Sequence, residues 1–194
     1  MKIGIILLAA GASRRMGRPK QLLPFRGKSL IQHICGELLK IKVEEIVVVL
    51  GANDQKIRPE LSNLPVKTVW NPNGDNGMGG SIATGVSYFK ENDLKIDAFL
   101  IVLCDQPFLT AKYLKNLTKK TQEAKKGIAA STYANTVGVP AFFHQKYTDD
   151  LLALKEQGGA KKLFQKYKND LLSIPFPQGE FDLDTPEDYE RFGK

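Results

Sequence analysis

The chain has 194 residues, 42% of them hydrophobic, which suits one domain spanning residues 1–194 with a proper buried core. No apolar run approaches the roughly 18 residues that cross a membrane, and the short N-terminal apolar run has no small-residue cleavage site after it. A net charge of +7 raises a nucleic-acid partner, but no recognition helix or aromatic platform accompanies it.

Strands are predicted at Lys2–Leu8, Glu45–Leu50, Val66–Trp70, Ala98–Leu103, Ile128–Thr132, Val139–Phe143 and Leu171–Ile174. Helical patterns lie between them at Ser29–Ile41, Asp54–Leu61, Ser81–Lys90, Ala111–Lys125, Tyr147–Leu154 and Ala160–Tyr167, with a closing helix from about Pro186. Lysines at 112, 115, 119, 120, 125 and 126, and at 161, 162, 166 and 168, alternate with apolar positions and read as the wet faces of two amphipathic helices. Near-continuous Ile/Val/Leu strands separated by helices indicate an α/β fold: a mostly parallel sheet with helices on both faces. Val139–Phe143 follows its predecessor without a helix, so it is expected to be an antiparallel element. Cys35 and Cys104 read as core residues of a reduced, cytoplasmic protein, and two histidines make a zinc site unexpected.

In such sheets ligands bind outside the carboxyl ends of the strands, and the chemistry-bearing residues cluster there. The first strand opens into small residues (Ala9, Ala10, Gly11, Ala12, Ser13) and then cations at Arg14, Arg15, Arg18 and Lys20. Small residues let backbone N–H groups approach a polyphosphate, and the cations neutralise it. A strand-to-helix turn with a solvated basic patch would look similar. Neither common phosphate motif fits: Leu22 stands where a P-loop ending at Gly27-Lys28-Ser29 needs glycine, and Ser13 replaces the second glycine of a dinucleotide fingerprint.

The third strand runs into Asn71-Pro-Asn-Gly-Asp-Asn-Gly-Met-Gly-Gly80, with Ser81 expected near the cap of the next helix. Asp105 follows the fourth strand; Thr110 is better placed to cap the helix after it, so Asp105 is a candidate metal ligand. Asp182 and Asp184 form a second acidic point before Thr185-Pro186, where capping competes with ligation. Cations for a polyphosphate and two separated carboxylates suit phosphoryl or nucleotidyl transfer assisted by Mg²⁺ or Mn²⁺.

Leu8-Ala9-Ala10-Gly11-x-Ser13-x-Arg15-Met16-Gly17-x-x-Lys20-x-Leu22-Leu23-Pro24 resembles the signature of the molybdenum-cofactor nucleotidyltransferases, most closely the cytidylyltransferase branch. The resemblance continues through Gly77-Met78-x-x-Ser81, Cys104-Asp105-Gln106-Pro107, Gly138-Val139-Pro140-Ala141, Gly158-Gly159-Ala160 and Asp182-Leu183-Asp184-Thr185-Pro186. It implies a Rossmann-like nucleotidyltransferase fold and transfer of a nucleotidyl group from CTP, or GTP, to molybdopterin with release of pyrophosphate. It implies nucleotide contacts at Leu8, Ala9, Ala10, Gly11, Ser13, Arg15 and Lys20, and at Gly79, Gly80 and Ser81 for base and ribose. Lys20, Arg15 and Asp105 would be catalytic; Asp105 and Asp182, with Asp184 a further candidate, would hold Mg²⁺ or Mn²⁺. A pterin would need a flat slot, expected around Gly138–Phe143. A recipient molybdoenzyme would be a further partner; nucleic acid and membrane are not expected ones. A sugar- or alditol-phosphate nucleotidyltransferase and a non-catalytic cofactor chaperone remain as alternatives.

Overall fold

The computed structural model describes residues 1–74, 77–154 and 159–192. The principal sheet has seven strands: β1 (Ile3–Ala9), β4 (Glu45–Leu50), β5 (Lys67–Trp70), β6 (Ala98–Leu103), β7 (Ile128–Tyr133), β8 (Thr136–His144) and β9 (Leu171–Pro175). Their spatial order is β5-β4-β1-β6-β8-β7-β9. The pairs β5/β4, β4/β1, β1/β6 and β7/β9 are parallel, while β8 runs antiparallel to both neighbours. The antiparallel element thus falls where the sequence put it. It arises because only Ala134 and Asn135, both with positive φ, separate β7 from β8, too short a link for a parallel crossover.

Alternate residues of β1 enter different cores. Ile5 and Leu7 pack with Leu30, Ile31 and Ile34 of α1 (Leu30–Leu38), Ile57 of α2 (Asp54–Leu61) and Leu114 of α4 (Ala111–Glu123). Ile6 and Leu8 pack on the other face with Ile82, Val86 and Phe89 of α3 (Met78–Glu91), Leu151 of α5 (Thr148–Leu152) and Leu163 of α6 (Lys161–Lys166). Ile5, Ile6 and Leu7 are fully buried, and each contributes about 1.5–3 kcal/mol of transfer free energy. A β-strand with both faces covered has no need of polar alternation, which is why β1, β4 and β6 read as continuous apolar runs. The lysines of α4 and α6 lie on the faces turned away from these cores, as their spacing indicated.

Two short strands escaped the sequence reading: Pro24–Phe25 (β2) pairs with Lys28–Ser29 (β3) around Arg26 and Gly27, both at positive φ. The hairpin follows the basic loop directly, and Leu30 begins α1 one residue after it. The closing helix α7 spans Pro186–Phe192.

Candidate active site

Parallel pairing of β4, β1 and β6 brings their carboxyl ends to one edge, where Ala9, Leu50 and Leu103 end their strands. Beyond Ala9 the chain turns through Ala10 and Gly11 to Ser13, which adopts the left-handed conformation at φ 57°. Ser13 Oγ accepts from the Lys20 backbone N–H at 3.0 Å, closing the loop. Beneath it lies Gln21, 1% exposed, whose Nε2 donates to Ala9 O at 2.9 Å and Gly11 O at 3.1 Å. The loop is also clamped from the side: a Cβ at Gly51 would stand 2.2 Å from Ala10 O, so only glycine permits this approach.

The cations of the loop meet the carboxylates. Lys20 Nζ lies 2.5 Å from Asp105 Oδ2 and 2.6 Å from Asp184 Oδ1; Arg15 Nη2 lies 2.7 Å from Asp184 Oδ2. Burial alone would lower the Lys20 pKa, but Asp105 and Asp184 outweigh it and hold the ammonium charged well above its ordinary value. For Asp184, burial pulls upward and is overcome by Lys20 and Arg15, leaving its carboxyl below the usual range. Arg18 is directed elsewhere, 5.6 Å above the Tyr189 ring.

Local capping explains why these acids reach the cleft. Thr110 Oγ1 accepts from Tyr113 N and caps α4, so Asp105 is not needed there. At α7, Thr185 Oγ1 accepts from Asp188 N, while Asp188 Oδ2 accepts from the N–H groups of Asp184 and Thr185. This reciprocal box satisfies the helix end and leaves the Asp184 side chain to the cations. Leu183 N donates to Asp105 O at 3.0 Å, tying the second acidic segment to the first. Asp105 Oδ1 and Asp182 Oδ1 are buried without a hydrogen-bond partner among the described residues. Burial first, then the charges of Asp105 and Asp184, push the Asp182 carboxyl up to about 7.

Two cavities adjoin here. The first, about 370 Å³, takes its lining from residues 8–15 together with Lys20, Gln21, Ser81, Asp105 and Asp184. The second, about 640 Å³, is mostly apolar and includes Tyr133, Val139, Phe164 and Asp182. Gly77, Met78 and Leu103 line both and form the partition.

The α3 end differs from expectation. The helix starts at Met78, so Ser81 sits within its first turn instead of capping it, and is buried against Asn71 Nδ2 at 3.0 Å. Ser81 lines the first cavity, but Gly79 and Gly80 line neither; Gly74, Gly77 and Met78 stand at the first cavity in their place. The helix starts three residues early because Gly77, at φ 134°, supplies the break that Ser81 was expected to supply. The proposed slot is likewise narrower. Gly138 and Val139 line the second cavity, whereas Ala141, Phe142 and Phe143 are buried inside the sheet. Asp75, Asn76 and Gly158 lie outside the described residues.

Comparison with known proteins decides the class. The model of the MobA-like NTP transferase domain matches residues 5–171. This chain belongs to the MobA-like NTP transferase family. It is 27% identical to the purine catabolism protein PucB of Bacillus subtilis, over 95% of this chain and 93% of that protein. Nicotine blue oxidoreductase of Paenarthrobacter nicotinovorans is 38% identical over 54% of this chain and 50% of that protein, so this match spans half of that relative's length. Among solved structures, Rv0371c of Mycobacterium tuberculosis in complex with manganese superposes with a TM-score of 0.80 at 22% identity, covering 100% of this chain and 98% of that one. Molybdopterin-guanine dinucleotide biosynthesis protein A of Archaeoglobus fulgidus superposes at 0.72 with 19% identity, covering 98% and 96%. These two likenesses show the shared fold.

As a MobA-like transferase the chain is a nucleotidyltransferase, and its sheet is the Rossmann-like one of that group. No group of three or more His, Cys, Asp or Glu among the described residues is arranged to hold a metal. No helix of the described chain is long and apolar enough to cross a membrane. Gln21 and Gly51 shape the site without having been singled out in the sequence: Gln21 acts through its burial beneath the loop and Gly51 through the close approach of Ala10 O, and neither leaves a local sequence signal.

Proposed function

We propose that the protein transfers a cytidylyl group from CTP to the phosphate of molybdopterin, forming a dinucleotide cofactor and pyrophosphate. The observation that carries this is the pair of adjoining cavities. One is lined by the small residues and cations of the basic loop with Asp105 and Asp184, the other mainly by apolar side chains with Asp182, and they share Gly77, Met78 and Leu103. The first suits a triphosphate. The second has the size and apolar lining of a site for a flat heterocycle. The name of the A. fulgidus structure, molybdopterin-guanine dinucleotide biosynthesis protein A, supports the acceptor, and the Leu8-Ala9-Ala10-Gly11 sequence supports the nucleotide.

The residues at the junction fit a divalent cation. Both Asp184 oxygens are engaged, by Lys20 and Arg15, whereas Asp105 Oδ1 and Asp182 Oδ1 are buried acceptors without donors. Asp105 and Asp182 would therefore hold Mg²⁺ or Mn²⁺, and Asp184 would serve the cations. The manganese complex of Rv0371c supports this use. When bound, the cation neutralises the triphosphate and makes its α-phosphorus more electrophilic. The chain's own residues do the rest. Backbone N–H groups of residues 10–13 receive the phosphates, and Arg15 and Lys20 stabilise charge accumulating on the departing pyrophosphate. The partition of Met78 and Leu103 sets the approach of the acceptor phosphate oxygen to the α-phosphorus.

Incubation with Mg²⁺, molybdopterin and CTP, GTP or ATP in turn tests the proposal. Pyrophosphate and a cytosine dinucleotide should form with CTP and far less product with the purines. Equal use of GTP would move the protein to the guanylyl branch. Product only with a sugar or alditol phosphate would replace the acceptor.

A further inference from the structure

The turn after β5 is organised by one buried amide. Asn71 is 4% exposed, and both ends of its side chain are engaged: Oδ1 accepts from Asn73 N at 3.0 Å, and Nδ2 donates to Ser81 Oγ at 3.0 Å. The Asn73 backbone N–H can only donate, so Oδ1 must face it and the NH₂ end must face Ser81. The Asn71 main chain fastens the same turn, donating to Leu50 O at 2.8 Å and accepting from Gly74 N at 3.2 Å. Gly74 in turn lies so close to the phosphate loop that a Cβ there would stand 2.7 Å from the Ala10 methyl. Asn71 thereby ties the end of β4 to the glycine-rich turn and to the first turn of α3.

The consequence falls on Ser81, which is 3% exposed and lines the first cavity. A serine hydroxyl has one proton to donate and two lone pairs that accept. One lone pair takes the Asn71 amide, so the proton is left for another partner, and among the described residues nothing accepts it. Thr84, nearly one turn further along α3, shows the contrast: its Oγ1 donates to Gly80 O at 2.9 Å and so spends its proton within the helix. Had the Asn71 amide been turned the other way, its oxygen would have taken the Ser81 proton.

We propose that Asn71 is a positioning residue for the nucleotide: by donating to Ser81 Oγ it keeps the Ser81 proton free for a keto oxygen of the bound base. This rests on the CTP reading given above and adds to it how the base is read. A keto oxygen is the fitting partner because it can only accept, whereas a ribose hydroxyl would pair with Ser81 in either polarity. Cytosine presents one such oxygen, O2.

The test compares binding of CTP and 2-thio-CTP by calorimetry, with Mg²⁺ and without acceptor; the sulfur that replaces O2 is the weaker acceptor. The wild type should bind CTP about tenfold more tightly than the thio analogue, and Ser81→Ala should bind the two alike. Asn71→Asp keeps the shape of the side chain and the acceptor for Asn73 N. While protonated, the introduced carboxyl donates to Ser81 as the amide does; once ionised, it takes the Ser81 proton for itself. In Asn71→Asp the preference for CTP should therefore survive at acid pH and disappear as the pH rises, while the wild type shows it throughout. A preference unchanged at every pH, or lost alike at both ends, overturns the proposal, as does equal binding of the two nucleotides by the wild type. A wild type that binds GTP or ATP but not CTP instead overturns the CTP reading beneath it. Should Asn71→Asp not fold, neutron diffraction from deuterium-exchanged wild-type crystals locates the Ser81 proton. It is expected to point into the cavity, and a proton directed at Asn71 overturns the assignment.

Discussion

Lys20 makes the densest electrostatic contacts of the site, and its value depends on what replaces its partners when a triphosphate arrives. Removing one such charge-stabilising donor typically costs about 10²–10³ in turnover. Lys20→Ala should therefore lose that much in kcat while its circular dichroism stays that of the wild type; unchanged kcat would remove Lys20 from catalysis. Asp182→Asn should weaken Mn²⁺ binding more than Asp184→Asn, because the Asp184 oxygens are already taken by Lys20 and Arg15. Calorimetric titration of both variants reads the order directly. Gly51→Ala places a methyl 2.2 Å from Ala10 O, so the phosphate loop must shift. A displacement of this kind should lower kcat/KM for the nucleotide by about 10- to 100-fold, measured at saturating acceptor. The meeting of Lys20 and Arg15 with Asp105 at one edge was legible because a cation-rich loop and an acid both follow the carboxyl ends of apolar strands. Gly51 and Gln21 were not, since each acts on the loop from a distant or buried position that no local pattern marks.

At the level of elements, strands were the most readable. Glu45–Leu50 and Ala98–Leu103 coincide with their predicted spans, because runs buried on both faces start and stop where burial does. Helix ends were less readable. α1 stops at Leu38 against an expected Ile41, and α3 starts at Met78 because the break lies at Gly77. The two-residue strands of the β2–β3 hairpin are too short to carry a period. The far end of the sheet is fastened by Asp170, which accepts from Gly127 N at 3.0 Å, pairs with Lys146 Nζ at 2.8 Å and accepts from the Tyr147 hydroxyl. Burial alone would raise this carboxyl, but Lys146, Tyr147 and Gly127 outweigh it and hold it down to about 2. A folded-state pKa below the unfolded one stabilises the fold above about pH 3.8, and that contribution disappears as pH falls through about 2. Asp170→Asn should therefore show a lower Tm than the wild type at pH 7, with the gap closing as the pH approaches 2. A gap independent of pH would mean that packing, and not charge, accounts for the loss.

For the molecule as a whole, the arrangement of the sheet brings acids from two distant parts of the chain against one basic loop. Asp105 arrives with β6, the neighbour of β1, whereas Asp184 arrives by a long return through β7, β8 and β9. The first juxtaposition follows from the strand-end rule. The second depends on the Leu183–Asp105 hydrogen bond and on Thr185 and Asp188 capping α7, which only coordinates reveal. The partition of the cleft into a polar and an apolar chamber was also hidden, because Met78 and Leu103 look in sequence like ordinary core residues; of the second chamber's wall, Gly138 and Val139 fall in the stretch expected to form a slot. If a divalent cation joins the two halves, a chelator should abolish dinucleotide formation and Mn²⁺ or Mg²⁺ should restore it. Anomalous diffraction from crystals grown with Mn²⁺ and a non-hydrolysable CTP analogue tests the arrangement most directly. The account predicts a manganese peak between Asp105 and Asp182, with the triphosphate along residues 10–20. A peak or a nucleotide bound away from that junction would contradict it.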